Sequence, residues 1–125
     1  MKNLSHLLAG LVLAFGVSGA ALADERPDHF EGEKAANLDE ALVHLSSYNA
    51  KLEAVLAKEE LGPEDTAEVH QLTYTLENAL ARIKSEVEAM EETLEEVHVA
   101  SERYEVGTVR SQGRKYLDHA AKLAK

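Results

Sequence analysis

The sequence predicts an all-α protein: an antiparallel helical hairpin with one long helix, closed by a shorter C-terminal helix that folds back. Three observations carry this. Val69, Thr73, Leu76, Leu80, Ile83, Val87, Met90, Leu94, Val97, Ser101 and Tyr104 recur at alternating steps of four and three, the seam of a coiled-coil-like helix. Leu38, Leu42, Leu45, Leu52 and Leu56 mark a second face of the same kind. Between the two stands Leu61-Gly62-Pro63, with glycine past one helix end and proline at the first position of the next.

The first 23 residues read as a secretory signal peptide. Met1-Lys2-Asn3 is a short positive start, Leu4 to Gly19 is mostly apolar, and Ala21-Leu22-Ala23 is an A-x-A cleavage site. The competing reading, an uncleaved membrane anchor, needs a span of roughly 20 apolar residues, and here glycines interrupt a shorter one. Cleavage removes one lysine and moves the formal net charge from −10 to −11. No later stretch is apolar enough to span a membrane, so a bacterial periplasm is the expected location. The chain has no cysteine, so an exported product must be held by packing rather than by disulfides.

Residues 24–36 carry little helical pattern and read as an extended arm, with Phe30 as its one aromatic anchor. Residues 37–125 form the helical domain. Asn37 is a good N-cap, and Glu40 three positions on completes a capping-box-like pair for a first helix over about 38–60. Glu64 and Asp65 place negative charge at the N-terminus of a second helix over about 63–105, where the macrodipole favours it. The tight turn makes facing residues sum to about 125, so the first helix runs out near Val87. Met90, Leu94, Val97 and Tyr104 then need another cover. Gly107 is expected to end the long helix, and a third helix over about 112–124 offers Tyr116, Leu117, Ala120 and Leu123. Charge supports this fold-back. Residues 59–105 hold fourteen acidic and three basic side chains, whereas residues 106–125 hold five basic and one acidic. A second copy pairing long helix with long helix is the other candidate cover.

Three stretches stand out: Arg26-Pro-Asp-His-Phe-Glu-Gly32, His70-Gln-Leu-Thr-Tyr-Thr-Leu-Glu-Asn-Ala-Leu80 and Glu95-Glu-Val-His-Val-Ala-Ser-Glu102. Together they resemble a family of small exported bacterial helical proteins catalogued only as a domain of unknown function. The resemblance spans nearly the whole mature chain and implies an exported helical protein. It transfers no catalytic or binding residue.

Several chemistries lack their residues. Without cysteine there is no thiol nucleophile and no thiolate metal site, and no glycine-rich phosphate loop is present. Ser46, Ser47 and Ser101 fall on expected helices rather than on a sharp nucleophile turn. Glu95, His98 and Glu102 share one side of the long helix. A turn that makes facing residues sum to about 216 brings His119 to them, with Asp118 near. That set could take a divalent transition metal such as zinc, copper or nickel. The plainer reading is a glutamate-rich surface with one histidine on its flank. Met90 with His119 is a weaker version of the same idea, for haem b; a methionine at helical spacing is more often core.

His70, Tyr74 and Glu77 form a row beside the seam, and Tyr48 and Asn49 would face them. The five read as a polar cluster that sets register, with a small ligand site as the alternative. Glu86, Glu88, Glu91, Glu92, Glu95 and Glu96 form a solvated acidic face that repels nucleic acid and anionic lipid. The expectation is a non-enzymatic periplasmic helical protein that acts through a protein partner or as a homodimer. It needs no cofactor, carries no nucleic acid, and has no membrane contact after cleavage. The alternative is a divalent-metal-binding protein using Glu95, His98, Glu102 and His119.

Overall fold

The computed structural model describes residues 30–124. They form three helices, α1 Leu38–Leu56, α2 Pro63–Glu102 and α3 Val106–Leu123, preceded by an extended arm. The expected signal peptide, residues 1–23, and the first part of the arm, residues 24–29, lie outside the described residues.

Local chemistry sets the boundaries. The Asn37 side chain accepts from the Glu40 N–H at 3.0 Å, and the Glu40 carboxylate accepts from the Ala36 N–H at 2.8 Å. One orphan donor of the first turn and the N–H of the residue before the cap are thereby satisfied. The helix stops at Leu56, four residues before the expected end. Lys58, Glu59 and Glu60 have no apolar surface to bury there, and Lys58 turns to Asp65 instead. Asp65 also accepts from the Gly62 N–H at 2.8 Å, which caps α2 from its third position. The Lys58 ammonium, aided by that Gly62 bond, holds the Asp65 carboxyl below the usual aspartate range. The same hydrogen bond raises Lys58.

The joint between α2 and α3 departs from expectation. Gly107 does not break the chain; it lies in the first turn of α3, which begins six residues before the expected start. The break is at Tyr104, whose φ of 57° is left-handed. The Glu105 N–H reaches back to the Ala100 carbonyl at 2.9 Å, and the Tyr104 N–H to the Ser101 carbonyl at 3.3 Å. This pair of bonds is a Schellman motif with tyrosine where glycine is usual. Glycine content alone points to the wrong residue, because the motif is fixed by backbone bonds rather than by composition.

α1 and α3 both pack on α2. Their 19 and 18 residues nearly match the 40 of α2. The two short helices lie end to end, where Lys122 in the last turn of α3 bonds Asp39 in the first turn of α1 at 2.6 Å. Each charge also sits at the helix end its sign favours. Among the described residues this is the ion pair that α3 contributes; its attraction reaches α1, not the glutamates of α2.

The buried row of α2 is Leu72, Leu76, Ala79, Met90, Thr93 and Ala100, with Ile83 packed against the core and Thr75 buried beside the row. The row's positions also alternate by four and three. They share Leu76, Ile83 and Met90 with the expected seam but replace Thr73, Leu80, Leu94 and Ser101 by their smaller or differently placed neighbours. Leu80 is 53% exposed, Leu94 45% and Tyr104 89%. The reason is closeness of approach. Ala41 of α1 and Ala79 are fully buried in one cluster with Ala35, and small side chains at a helix crossing let the axes come together. Hydrophobicity alone favours the leucine row; packing selects the alanine row.

Candidate functional site

The best-built polar site in the described chain holds the arm onto α2. Thr75 is fully buried, and its hydroxyl accepts from the Glu33 N–H at 2.9 Å. The Asn78 amide donates to the Glu31 and Glu33 carbonyls at 3.0 and 3.1 Å, and Arg82 Nε donates to the Ala35 carbonyl at 3.0 Å. Thr75, Asn78 and Arg82 are spaced three and four apart, so they form one stripe along α2. An extended strand has no helical partners of its own, and this stripe supplies them. Gly32 makes the approach possible. It has φ +68°, and a Cβ built on it would stand 2.8 Å from the Thr75 nitrogen and the Tyr74 carbonyl carbon. At its first described residue the arm makes an aromatic contact, Phe30 against Tyr74 with ring centroids 5.7 Å apart.

The expected register cluster is only partly assembled. His70 and Tyr74 meet, with the tyrosine hydroxyl 3.3 Å from His70 Nε2 and the rings edge to face at 5.1 Å. Tyr48 does not join them; it stacks beside His44 and lies under the Lys51 ammonium at 4.0 Å. Asn49 and Glu77 are exposed. The described polar contacts that join α1, the arm and α2 lie elsewhere. Thr75, Asn78 and Arg82 grip the arm's backbone, and His44 of α1 places Nε2 3.4 Å from Glu33. His44 Nδ1 is buried without a hydrogen-bond partner.

Of the four expected metal ligands, Glu95 and Glu102 flank His98 on opposite ring nitrogens rather than converging on one point. His98 has Nδ1 at 3.6 Å from Glu95 and Nε2 at 3.3 Å from Glu102. All three side chains are largely exposed. His119 is placed elsewhere, beside Arg114, Lys115 and Asp118 on α3. Because the turn centres on Tyr104, facing residues sum to about 208 rather than 216, which moves His119 about 12 Å along α2 from the expected position. Among the described residues no group of three or more histidine, cysteine or acidic side chains is arranged to hold a metal ion. Met90 is buried in the core row.

Two surfaces remain. Glu91, Glu92, Glu95 and Glu96 rim an open groove whose floor is Val99, Ala100 and Thr108, where α3 leaves the joint. On another side of α2 runs the displaced leucine row, Thr73, Leu80, Val87, Leu94 and Ser101, at seven-residue steps. Its two polar members are satisfied by their own helix. Thr73 Oγ1 donates to the His70 carbonyl at 2.7 Å and Ser101 Oγ to the His98 carbonyl at 2.6 Å.

The model of a family of unknown function matches residues 1–125. The chain belongs to that family, DUF6746. No curated protein and no solved structure matches it. In this DUF6746 chain, two of the three stretches that carried the resemblance meet in space: Gly32 closes the first and lies over Tyr74 and Thr75 of the second. The arm-gripping residues Thr75, Asn78 and Arg82 were not among the expected site residues. Their signal was a polar stripe three and four apart, partly inside the second stretch. No described helix is long and apolar enough to cross a membrane.

Proposed function

We propose that the mature chain is a non-enzymatic periplasmic protein that acts through protein–protein contact, self-association included, along the leucine row of α2. The observation that carries this reading is the exposure of Leu80 and Leu94. They stand two heptads apart on a well-packed helix, while the core behind them is already filled by Leu76, Ala79, Ile83, Met90 and Thr93. Large aliphatic side chains in a regular row, with their polar neighbours already bonded to backbone, form a surface suited to another helix. The signal-peptide pattern at the N-terminus supports the location, and the missing thiol, phosphate-loop and nucleophile-turn motifs support the absence of catalysis.

A photo-reactive amino acid placed at position 80 or 94 tests the reading in intact cell envelopes. Adducts are expected from both positions and not from the outward positions Ala81 and Glu88. Absence of adducts from all four, or equal yields from all four, overturns it.

A further inference from the structure

We infer that the partner on this row is a second copy of the chain, with α2 packed antiparallel on α2 about a two-fold axis at Val87; this deepens the contact reading and rests on it. A symmetric contact must be self-complementary, because each residue meets the two-fold image of another. The leucine row meets that condition in sequence. Read from either end, Thr73-Leu80-Val87-Leu94-Ser101 runs small hydroxyl, leucine, valine, leucine, small hydroxyl. An antiparallel pair centred on Val87 sets Leu80 against the second copy's Leu94 and Thr73 against its Ser101, with Val87 meeting Val87. The hydroxyl ends enter this contact with their bonds to His70 and His98 already made.

The neighbouring row gives independent support from charge. Glu77, Lys84, Glu91 and His98 also recur every seven residues, and all four are exposed. In an antiparallel pair, the same flank of each helix lies beside that flank of the other. Lys84 then meets Glu91 of the second copy, and Glu77 meets His98. Lys84, which also has Glu88 of its own helix at 3.6 Å, thus faces an opposite charge, and Glu77 faces an imidazole that can donate an N–H, at the register that matches the leucines. A parallel pair sets this row against Leu76, Ile83 and Met90, the positions turned toward the core, where no charge waits. The flank therefore selects direction, and the apolar row selects register.

The chain has no cysteine, so introduced thiols report the pairing without background. The experiment uses the purified mature protein, with circular dichroism to show that each variant keeps its helix content. Light scattering is expected to give twice the mature mass. Val87→Cys is expected to oxidise to a covalent dimer. Leu80→Cys alone and Leu94→Cys alone are expected to stay uncoupled, because equivalent residues lie about 21 Å apart along the axis. An equimolar mixture of those two is expected to couple. Lys84→Glu is expected to raise the dimer dissociation constant about tenfold, and adding Glu91→Lys to restore it.

Coupling of Leu80→Cys with itself, or a charge reversal that the second reversal does not rescue, overturns the antiparallel register. A monomer at the highest soluble concentration overturns the second copy as partner. In that case photo-adducts at positions 80 and 94 keep the contact reading standing, and their absence removes both.

Discussion

Gly32→Ala is the sharpest test of how the arm is held. The substitution acts twice. An L-residue at φ +68° costs roughly 1–2 kcal/mol relative to glycine. Its Cβ would also stand 2.8 Å from two backbone atoms of α2, which are fixed by the helix and cannot swing aside as a side-chain tip would. The arm must lift. Lifting breaks the Glu33–Thr75 bond, both Asn78 bonds and the Arg82–Ala35 bond. At about 1 kcal/mol per bond, and with water replacing part of the loss at half-exposed Asn78, the expected cost is about 2–4 kcal/mol. For a domain of this size that lowers the melting temperature by about 10–20 °C. Urea denaturation followed by circular dichroism measures the energy, and amide exchange at Glu33 reports whether the arm has detached. Thr75→Val, which keeps shape and removes the acceptor, is expected to lose about 1 kcal/mol of the same total. A Gly32→Ala protein within about 0.5 kcal/mol of the parent, a change no larger than an ordinary surface substitution gives, refutes the reasoning.

The other predictions address separate points of the fold. Tyr104→Gly is expected to stabilise the protein by about 0.5–1 kcal/mol in denaturant melts, since glycine removes the left-handed penalty and gives back part of the gain as unfolded-chain entropy. Ala79→Leu is expected to destabilise by about 1–3 kcal/mol, because Ala79 has no exposed surface and α1 cannot retreat without losing Ala41 and Ala35. Asp65 has a folded pKa held below its unfolded value of about 3.9, so its stabilising contribution is complete above that value and disappears as pH falls through the lower, folded one. The stability gap between parent and Asp65→Asn is therefore expected to close in acid melts below about pH 4. Zinc, copper and nickel are each expected to leave the melting temperature unchanged, because Glu95 and Glu102 lie on opposite ring nitrogens of an exposed His98, His119 lies away from it, and no three ligating side chains converge among the described residues. A rise that His98→Ala abolishes would make the Glu95–His98–Glu102 row a metal site.

The helices and their order were legible because heptad spacing and the Gly62-Pro63 break are strong local signals. The side of α2 that is buried was not. Two interleaved rows share Leu76, Ile83 and Met90, and periodicity cannot choose between Leu80 and Ala79 as the next member. The choice depends on what α1 brings to the crossing, and Ala41 admits only the smaller row. The α3 boundary was misplaced for a related reason: Gly107 looks like a terminator, while the terminating bonds are made at Tyr104 and Glu105. With the turn at Tyr104 instead of near residue 108, facing pairs shift by about eight residues, which carries His119 away from His98. In the register cluster, His70 and Tyr74 were visible as an i, i+4 pair. Thr75, Asn78 and Arg82 were not, because their partners are backbone atoms of an arm with no pattern of its own.

The end-to-end seating of α1 and α3 makes this a molecule with unequal halves on a common spine. α1 contributes Leu38, Ala41 and Val55 to the interior and is strapped by the arm, whereas α3 buries no residue completely. Opening free energy follows buried contact, so α3 is the part that peels first. Its departure strips Met90, Thr93 and Ala100 of their cover while the half around Thr75 stays shut. The Asp39–Lys122 clasp is the latch between these regimes, and salt, which screens exposed pairs, weakens it while leaving the apolar packing around Ala79 in place.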